Sequence, residues 1–227
     1  METNNKFAGI TSLIGEPARA IMLWSLADGK AYTASELATA ADISPQSASN
    51  HLNKLVEADF LKVEKQGKHR YYAIAKPEVA HAIESIANLI PGKKTLREEK
   101  NYVNGEIRFC RTCYDHLAGK VAVDLARSLL QQKILTVKGE EFSITPKGKK
   151  WFAEIGIDVN NLEKTKRYLA KPCLDWTERK YHLAGSLGAA FLLQMLKMNW
   201  IKPKATSRIL FLTEKGENEL RKIGVKL

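Results

Sequence analysis

Apolar and polar residues along the first 75 positions predict two helices followed by a β-hairpin. The first helix is predicted over residues 33–41 and the second over residues 45–59. One apolar face of the second helix is formed by residues at steps of three and four: Ala48, Leu52, Leu55 and Val56. Residues 60–74 then alternate about a central Gln-Gly-Lys, which is typical of a hairpin. This order is that of a helix-turn-helix followed by a wing.

The start of the second helix has the residue types of a surface that reads bases. Ser44 suits the N-cap and Pro45 the first helical position. The exposed face beside them carries amide and hydroxyl groups, which pair with base edges in the major groove of double-stranded DNA. The predicted DNA-binding residues are Gln46, Ser47, Ser49, Asn50, His51, Lys54, Lys68, His69 and Arg70. The pattern therefore predicts a gene regulator.

Four segments resemble the ArsR/SmtB family of bacterial transcriptional repressors. They are residues 16–26, 35–38, 44–55 and 67–72, within a resemblance that covers about residues 7–90. The most specific is the Ser-x-x-Ser-x-Ser-x-His-Leu run at 44–52. The resemblance implies a dimeric winged helix that leaves its operator when an effector arrives, with Lys68 and Arg70 as wing contacts. The metal-sensing branch of the family has a Cys-x-Cys before the recognition helix, and residues 35–41 contain no cysteine.

The net charge of +11 arises mainly outside the predicted DNA-binding module. Residues 1–100 carry 13 basic and 12 acidic side chains, whereas residues 101–227 carry 23 and 13. The excess is either ordinary solvated surface or a second, sequence-independent contact with phosphates. For any single basic residue, ordinary solvated surface is the slightly favoured interpretation.

Other bulk features predict a protein of the bacterial cytoplasm, associated with the nucleoid and not with a membrane. The N-terminus lacks the apolar run of a signal peptide. The most apolar stretch, residues 183–193, is too short to cross a bilayer. Three cysteines form no complete disulfide framework, which favours a reducing compartment.

The predicted fold class is mainly α with small β-hairpin wings (α+β). Residues 1–91 are predicted to be a winged helix-turn-helix domain for DNA binding and dimerisation, with helices near 7–14 and 77–89 as a dimer face. Residues 92–107 are predicted to be a linker. Two degenerate winged-helix-like repeats, 108–158 and 159–227, are predicted to form an effector-sensing domain.

An internal repeat is the basis of that prediction. His-Leu-Ala-Gly at 116–119 recurs at 182–185, and a Thr-x-Lys-Gly sequence at 145–148 recurs at 213–216. Each copy is predicted to contain a helix, a short β-hairpin, a helix that starts at Thr-x-Lys-Gly and a closing helix. Two copies in one chain are expected to pack about a pseudo-twofold, which creates a cleft suited to a ligand.

Candidate effector chemistry lies just ahead of each copy, where a Cys-x-Asp occurs twice. The candidate residues are Cys110, Cys113, Asp115, His116, Cys173, Asp175 and His182. One hypothesis is a thiophilic metal ion such as zinc, bound by the Cys-x-x-Cys-x-x-His at 110–116 and completed by Cys173. A second is an oxidant sensor that forms a disulfide between Cys113 and Cys173, with nearby arginines lowering a thiol pKa.

Two further interpretations stay open. One is an organic-ligand pocket in which the Asp and His side chains, Trp176 and Tyr114 orient a small molecule. The other is that the cysteines are small buried hydrophobic residues and that Asp115 and Asp175 merely cap helices.

Taken together, the sequence predicts a homodimeric, sequence-specific DNA-binding regulator, a repressor released from its operator by a small-molecule, metal or oxidant effector. The first alternative is a constitutive, architectural DNA-binding protein with a structural C-terminal half. The second is a Cys/His/Asp hydrolase. It is disfavoured because the sequence has no phosphate loop or nucleophile elbow, and because two symmetric copies suit sensing better than catalysis.

Overall fold

The computed structural model describes residues 2–67, 69–90, 105–205 and 207–227. The chain divides into two compact units, Met1–Ala87 and Asn88–Leu227. Most of the predicted linker, residues 92–104, lies outside the described residues, whereas residues 105–107 begin a helix. Among the described residues, no helix is long and apolar enough to cross a bilayer.

The N-terminal unit has the order of elements that the sequence predicts for a winged helix-turn-helix. Its helices are α1 (Glu2–Gly15), α2 (Pro17–Ser25), α3 (Ala34–Ala40), α4 (Pro45–Glu57) and α5 (Pro77–Ala87). Its strands are β1 (Tyr32–Thr33), β2 (Leu61–Gln66) and β3 (His69–Ile74), which form an antiparallel sheet in the order β1-β3-β2. Helices α3 and α4 are the helix-turn-helix, and β2 and β3 are the wing.

Capping side chains start both helices of the helix-turn-helix. Thr33 and Glu36 form a reciprocal capping box at α3, and the Ser44 hydroxyl accepts a hydrogen bond from the Ser47 amide at α4. The apolar faces of these helices then close one core, in which Leu37, Leu52 and Leu55 are almost completely buried. The sequence prediction for this unit is therefore confirmed in its element types and order.

The C-terminal unit contains two halves with the same order of elements. The first half comprises α6 (Gly105–Phe109), β4 (Arg111–Cys113), β5 (His116–Ala118), α7 (Lys120–Gln131), β6 (Leu135–Lys138), β7 (Glu141–Ile144), α8 (Pro146–Glu154) and α9 (Val159–Glu163). The second comprises β8 (Lys171–Leu174), β9 (Tyr181–Ala184), α10 (Gly185–Lys197), β10 (Ile201–Pro203), β11 (Leu210–Leu212) and α11 (Glu214–Lys222). Both halves share the succession hairpin, helix, hairpin, helix.

Matching residues of the two halves have matching backbone geometry. Gly119 and Gly185 have φ of +86° and +83°. A Cβ added to Gly119 would lie 2.7 Å from the Arg108 carbonyl oxygen, and one added to Gly185 would lie 2.6 Å from that of Tyr168. The repeat is visible in the sequence, but the first hairpin of each half, which contains the His-Leu-Ala strand, was not predicted. The interpretation of each half as a degenerate winged helix stays a prediction.

The halves pack reciprocally. Helix α7 of the first half packs against β9 of the second, α10 of the second packs against β5 of the first, and β5 and β9 also meet. One apolar core spans both halves and includes Leu117, Leu129, Leu187 and Phe191. This arrangement brings the hairpins β4–β5 and β8–β9 together in the middle of the unit.

Candidate nucleic-acid interface and candidate metal centre

The outer face of α4 presents two amide side chains. Ala48, Leu52 and Leu55 turn inward and are fully buried. Gln46 and Asn50 are exposed and lie one helical turn apart, so they share the opposite face. Helix α4 therefore offers two groups that are able to make bidentate hydrogen bonds with base edges.

The other predicted recognition residues differ in accessibility. Lys54 is exposed, whereas Ser47 and Ser49 are half-buried. The Ser49 hydroxyl donates a hydrogen bond to the carbonyl oxygen of Pro45, one turn earlier in the helix (3.0 Å). The two serines therefore bring less free hydrogen-bonding capacity to this face than the sequence pattern suggested.

His51 points away from the exposed face of α4. Its Nδ1 lies 3.3 Å from Glu16 Oε2 and 3.3 Å from Arg19 Nη1. Glu16 also caps α2 through the amides of Ala18 and Arg19. The structure thus places the His51 ring between α4 and the start of α2, where its Nδ1 contacts Glu16 and Arg19.

The wing presents basic side chains at its tip. In the β2–β3 register Lys65 pairs with Arg70 and Gln66 with His69, and all four residues are exposed. Lys68 lies outside the described residues. Lys65 and Arg70 carry the positive charge that suits contacts with phosphate oxygens.

The C-terminal unit brings two cysteines and two histidines together. Cys113 pairs with His116 across the β4–β5 hairpin, and Cys173 pairs with His182 across the β8–β9 hairpin. One donor atom from each of the four residues lies within 4.8 Å of every other. The two imidazoles face each other through their Nε2 atoms, which are 3.1 Å apart. Cys113, His116 and His182 are buried, and Cys173 is partly exposed.

A carboxylate lies behind each imidazole. His116 Nδ1 is 3.3 Å from Asp115 Oδ1, and the guanidinium of Arg167 holds both oxygens of that carboxylate. His182 Nδ1 is 3.5 Å from Asp175 Oδ2 and has no hydrogen-bond partner among the described residues. Neither aspartate is the N-cap of a helix among the described residues, so the expectation that Asp115 and Asp175 cap helices is wrong. The two arginines that hold these carboxylates, Arg111 and Arg167, were not among the predicted site residues.

Asp175 is the most enclosed charge of the site. It accepts hydrogen bonds from the Arg111 guanidinium (3.1 Å), the Gly119 amide (2.8 Å) and the Thr177 hydroxyl (2.6 Å). Arg111 and Asp175 are both fully buried, and Arg111 also lies 5.1 Å from the ring centroid of Trp176. Burial raises the pKa of Asp175, but the charges of Arg111 and His182 and these hydrogen bonds outweigh it and lower the pKa to about 2.

Cys110 occupies a different environment from the other two cysteines. Its side chain is fully buried in the apolar core, and burial raises the pKa of its thiol to about 12. The Cys-x-x-Cys-x-x-His spacing would place three ligands along one side of a helix, but α6 ends at Phe109 and the chain continues as strand β4 from Arg111. Cys110 therefore lies outside the group of four.

Comparisons with known proteins relate the whole chain to a regulator. Residues 14–64 match the family described as a helix-turn-helix domain. The chain is 40% identical over 225 residues to the uncharacterized HTH-type transcriptional regulator YdfF of Bacillus subtilis (strain 168). The aligned region covers 99% of this chain and 100% of YdfF.

Solved structures resemble part of the chain. The transcriptional repressor BigR from Xylella fastidiosa is 16% identical, with a TM-score of 0.37 over 40% of this chain and 93% of BigR. The cadmium metal-sensor CMTR from Mycobacterium tuberculosis is 23% identical, with a TM-score of 0.32 over 43% of this chain and 98% of CMTR. The full-length relation to YdfF, at 40% identity, defines the family. The chain belongs to the HTH-type transcriptional regulators, and its helix-turn-helix lies in the winged N-terminal unit.

Proposed function

We propose that this regulator is a homodimeric repressor that reads its operator through α4 and the wing and leaves it when an effector binds to the C-terminal unit. The exposed amide pair Gln46 and Asn50 carries this proposal. Both side chains lie outside the core, because Ala48, Leu52 and Leu55 pack into it from the other face of the helix. A helix with this division of faces can enter the major groove without disturbing its own domain.

The C-terminal unit supports the second part of the proposal. It has a core of its own, and that core encloses a polar centre. Burying ionic and imidazole groups is costly unless they are paired or bind a ligand. A buried polar centre in a regulator, distant in sequence from the base-reading helix, suits an effector site.

Removing either amide of α4 is expected to weaken the discrimination between operator and random duplex. Gln46→Ala and Asn50→Ala should each cost about 1–3 kcal/mol of discrimination if the lost group makes a bidentate base contact. The operator is first selected from a random duplex library with the full-length protein. Titration of labelled operator and of random duplex, at one fixed salt concentration, then measures the difference.

Arg70→Ala in the wing is the matched control for those variants. Loss of a phosphate contact should weaken all sequences alike and reduce the slope of log affinity against log salt by about one unit. Discrimination should therefore stay the same while overall affinity falls. If Gln46→Ala and Asn50→Ala behave in the same way as Arg70→Ala, α4 does not read bases, and an architectural DNA-binding role is favoured instead.

Helix α1 supports the homodimer. No residue of this helix is buried, although it carries apolar side chains, and Phe7 and Ile10 are 68% and 49% exposed. Its C-terminal end packs against the core of the N-terminal unit through Leu13 and Ile14, whereas Phe7 and Ile10 stay exposed. A helix of 14 residues is marginal in water without packing along its length, and a second copy of the chain that covers Phe7 and Ile10 would stabilise it.

The dimer is expected to dissociate when the apolar face of α1 is charged. The wild-type chain of 25.4 kDa should sediment at twice that mass. Phe7→Glu combined with Ile10→Glu should shift the protein towards the single-chain mass, because charges at an apolar contact lose their hydration. Asn5→Glu on the same helix is the control and should leave the dimer intact. Wild-type sedimentation at the single-chain mass at micromolar concentration would contradict the proposal.

A further inference from the structure

We propose that Cys113, His116, Cys173 and His182 bind one divalent metal ion of the zinc type. The site is four-coordinate and closed, and it joins the two halves of the C-terminal unit. This inference deepens the proposed function, since it names the chemistry of the effector site, but metal binding itself is tested without DNA.

The distances between the donor atoms suit a tetrahedral ion. Zinc–nitrogen bonds of about 2.0–2.1 Å and zinc–sulfur bonds of about 2.3 Å give a tetrahedron whose N–N edge is about 3.3 Å and whose S–S edge is about 3.8 Å. The two Nε2 atoms are 3.1 Å apart, and all four donors lie within 4.8 Å of one another. The four side chains therefore approach the required spacing before any rearrangement.

The orientation of the two imidazoles gives a second geometric argument. Asp115 and Asp175 lie on the Nδ1 side of the two rings, at 3.3 Å and 3.5 Å, so both rings turn their Nε2 atoms towards each other and towards the cysteines. A carboxylate behind each histidine is also the usual support of a metal-binding imidazole.

The donor types select the kind of ion. Two thiolates and two imidazoles suit zinc and related thiophilic ions, whereas calcium and magnesium require oxygen ligands. Two thiolates also balance the charge of a divalent ion, and each arginine beside the site is paired with an aspartate. The loaded centre is thus neutral overall, which suits a buried position.

The pairing of the strands explains why the site joins the two halves. Each hairpin contributes one cysteine and one histidine from directly opposed positions. A disulfide between Cys113 and Cys173 would use the sulfurs alone and would not account for the two imidazoles that converge beside them. The convergence of all four donors therefore favours the metal over the disulfide.

Cobalt is a suitable probe, because tetrahedral Co²⁺ with thiolate ligands absorbs strongly in the visible range and shows a sulfur-to-metal charge-transfer band. The full-length protein is reduced, stripped with a chelator and titrated with CoCl₂, and zinc is then added. We expect saturation at about one ion per chain, with the spectrum of a four-coordinate site, and loss of that spectrum when zinc displaces cobalt.

Three cysteine variants provide matched comparisons. Cys113→Ala and Cys173→Ala should lose the charge-transfer spectrum, whereas Cys110→Ala should keep it, because Cys110 lies in the apolar core. Circular dichroism of each variant establishes that it is folded. If the folded, reduced wild type shows no such band, or if the band survives in both Cys113→Ala and Cys173→Ala, the metal site is overturned. A wild type that binds no cobalt but still discriminates its operator would refute this inference and leave the proposed function in place.

Discussion

Replacement of Asp175 with alanine is expected to lower the free energy of unfolding of the metal-free C-terminal unit by about 3–5 kcal/mol, the range found when one partner of a buried ion pair is removed. The Arg111 guanidinium would stay fully buried and lose its carboxylate. The Gly119 amide would lose its acceptor as well. Urea unfolding in the presence of a chelator, followed by tryptophan fluorescence and circular dichroism, measures the change.

Two controls distinguish the loss of the buried ion pair from the effect on stability of removing any carboxylate. Glu217→Ala removes one member of an exposed pair with Arg221 in the same unit and should change stability by no more than about 0.5 kcal/mol. The double variant Arg111→Met with Asp175→Ala removes both charges and should recover much of the loss. If Asp175→Ala is no more destabilising than Glu217→Ala, the buried pair is not the stabilising element described here.

Zinc is expected to lower operator affinity by 5–150-fold, if the C-terminal site is the effector site and its coupling to DNA binding is about 1–3 kcal/mol. The physical requirement is that zinc binds the DNA-free conformation more tightly than the DNA-bound one. Titration of the selected operator with metal-free and zinc-loaded wild type, under reducing conditions, measures this ratio.

The cysteine variants show where the response originates. Cys113→Ser should bind operator like the metal-free wild type with and without zinc, whereas Cys110→Ser should respond like the wild type. Equal affinities for all proteins under both conditions would mean that the metal centre is structural and that release, if it occurs, depends on another effector. A response that disappears in Cys110→Ser and persists in Cys113→Ser would place the effector site elsewhere.

The amino-acid sequence alone determined the N-terminal unit and the existence of two similar halves in the C-terminal unit. Both predictions depend on interactions between residues that are close together in the sequence. Ser44 caps α4 through an amide three residues away, the apolar positions of α4 recur with the helical period, and the wing turns at a glycine with a positive φ. The repeat could be recognised because equivalent local requirements, such as the conformation of Gly119 and Gly185, select the same residues twice.

The tertiary structure decided which of the candidate residues meet. His116 and His182 are equivalent positions of the repeat, 66 apart, so a pseudo-twofold predicts that they approach each other. Arg111 and Asp175, 64 apart, are not equivalent positions, and no pattern in the sequence pairs them. Cys110 shares a motif with Cys113 but lies in the apolar core, because the helix ends at Phe109 and only Cys113 belongs to the hairpin that carries His116. His51 shows this within the N-terminal unit, where its ring contacts Glu16 and Arg19 at the start of α2 instead of extending from the exposed face of α4. The sequence shows which metal-binding and charged side chains the chain contains. The packing of the hairpins and helices determines which of these side chains lie close together.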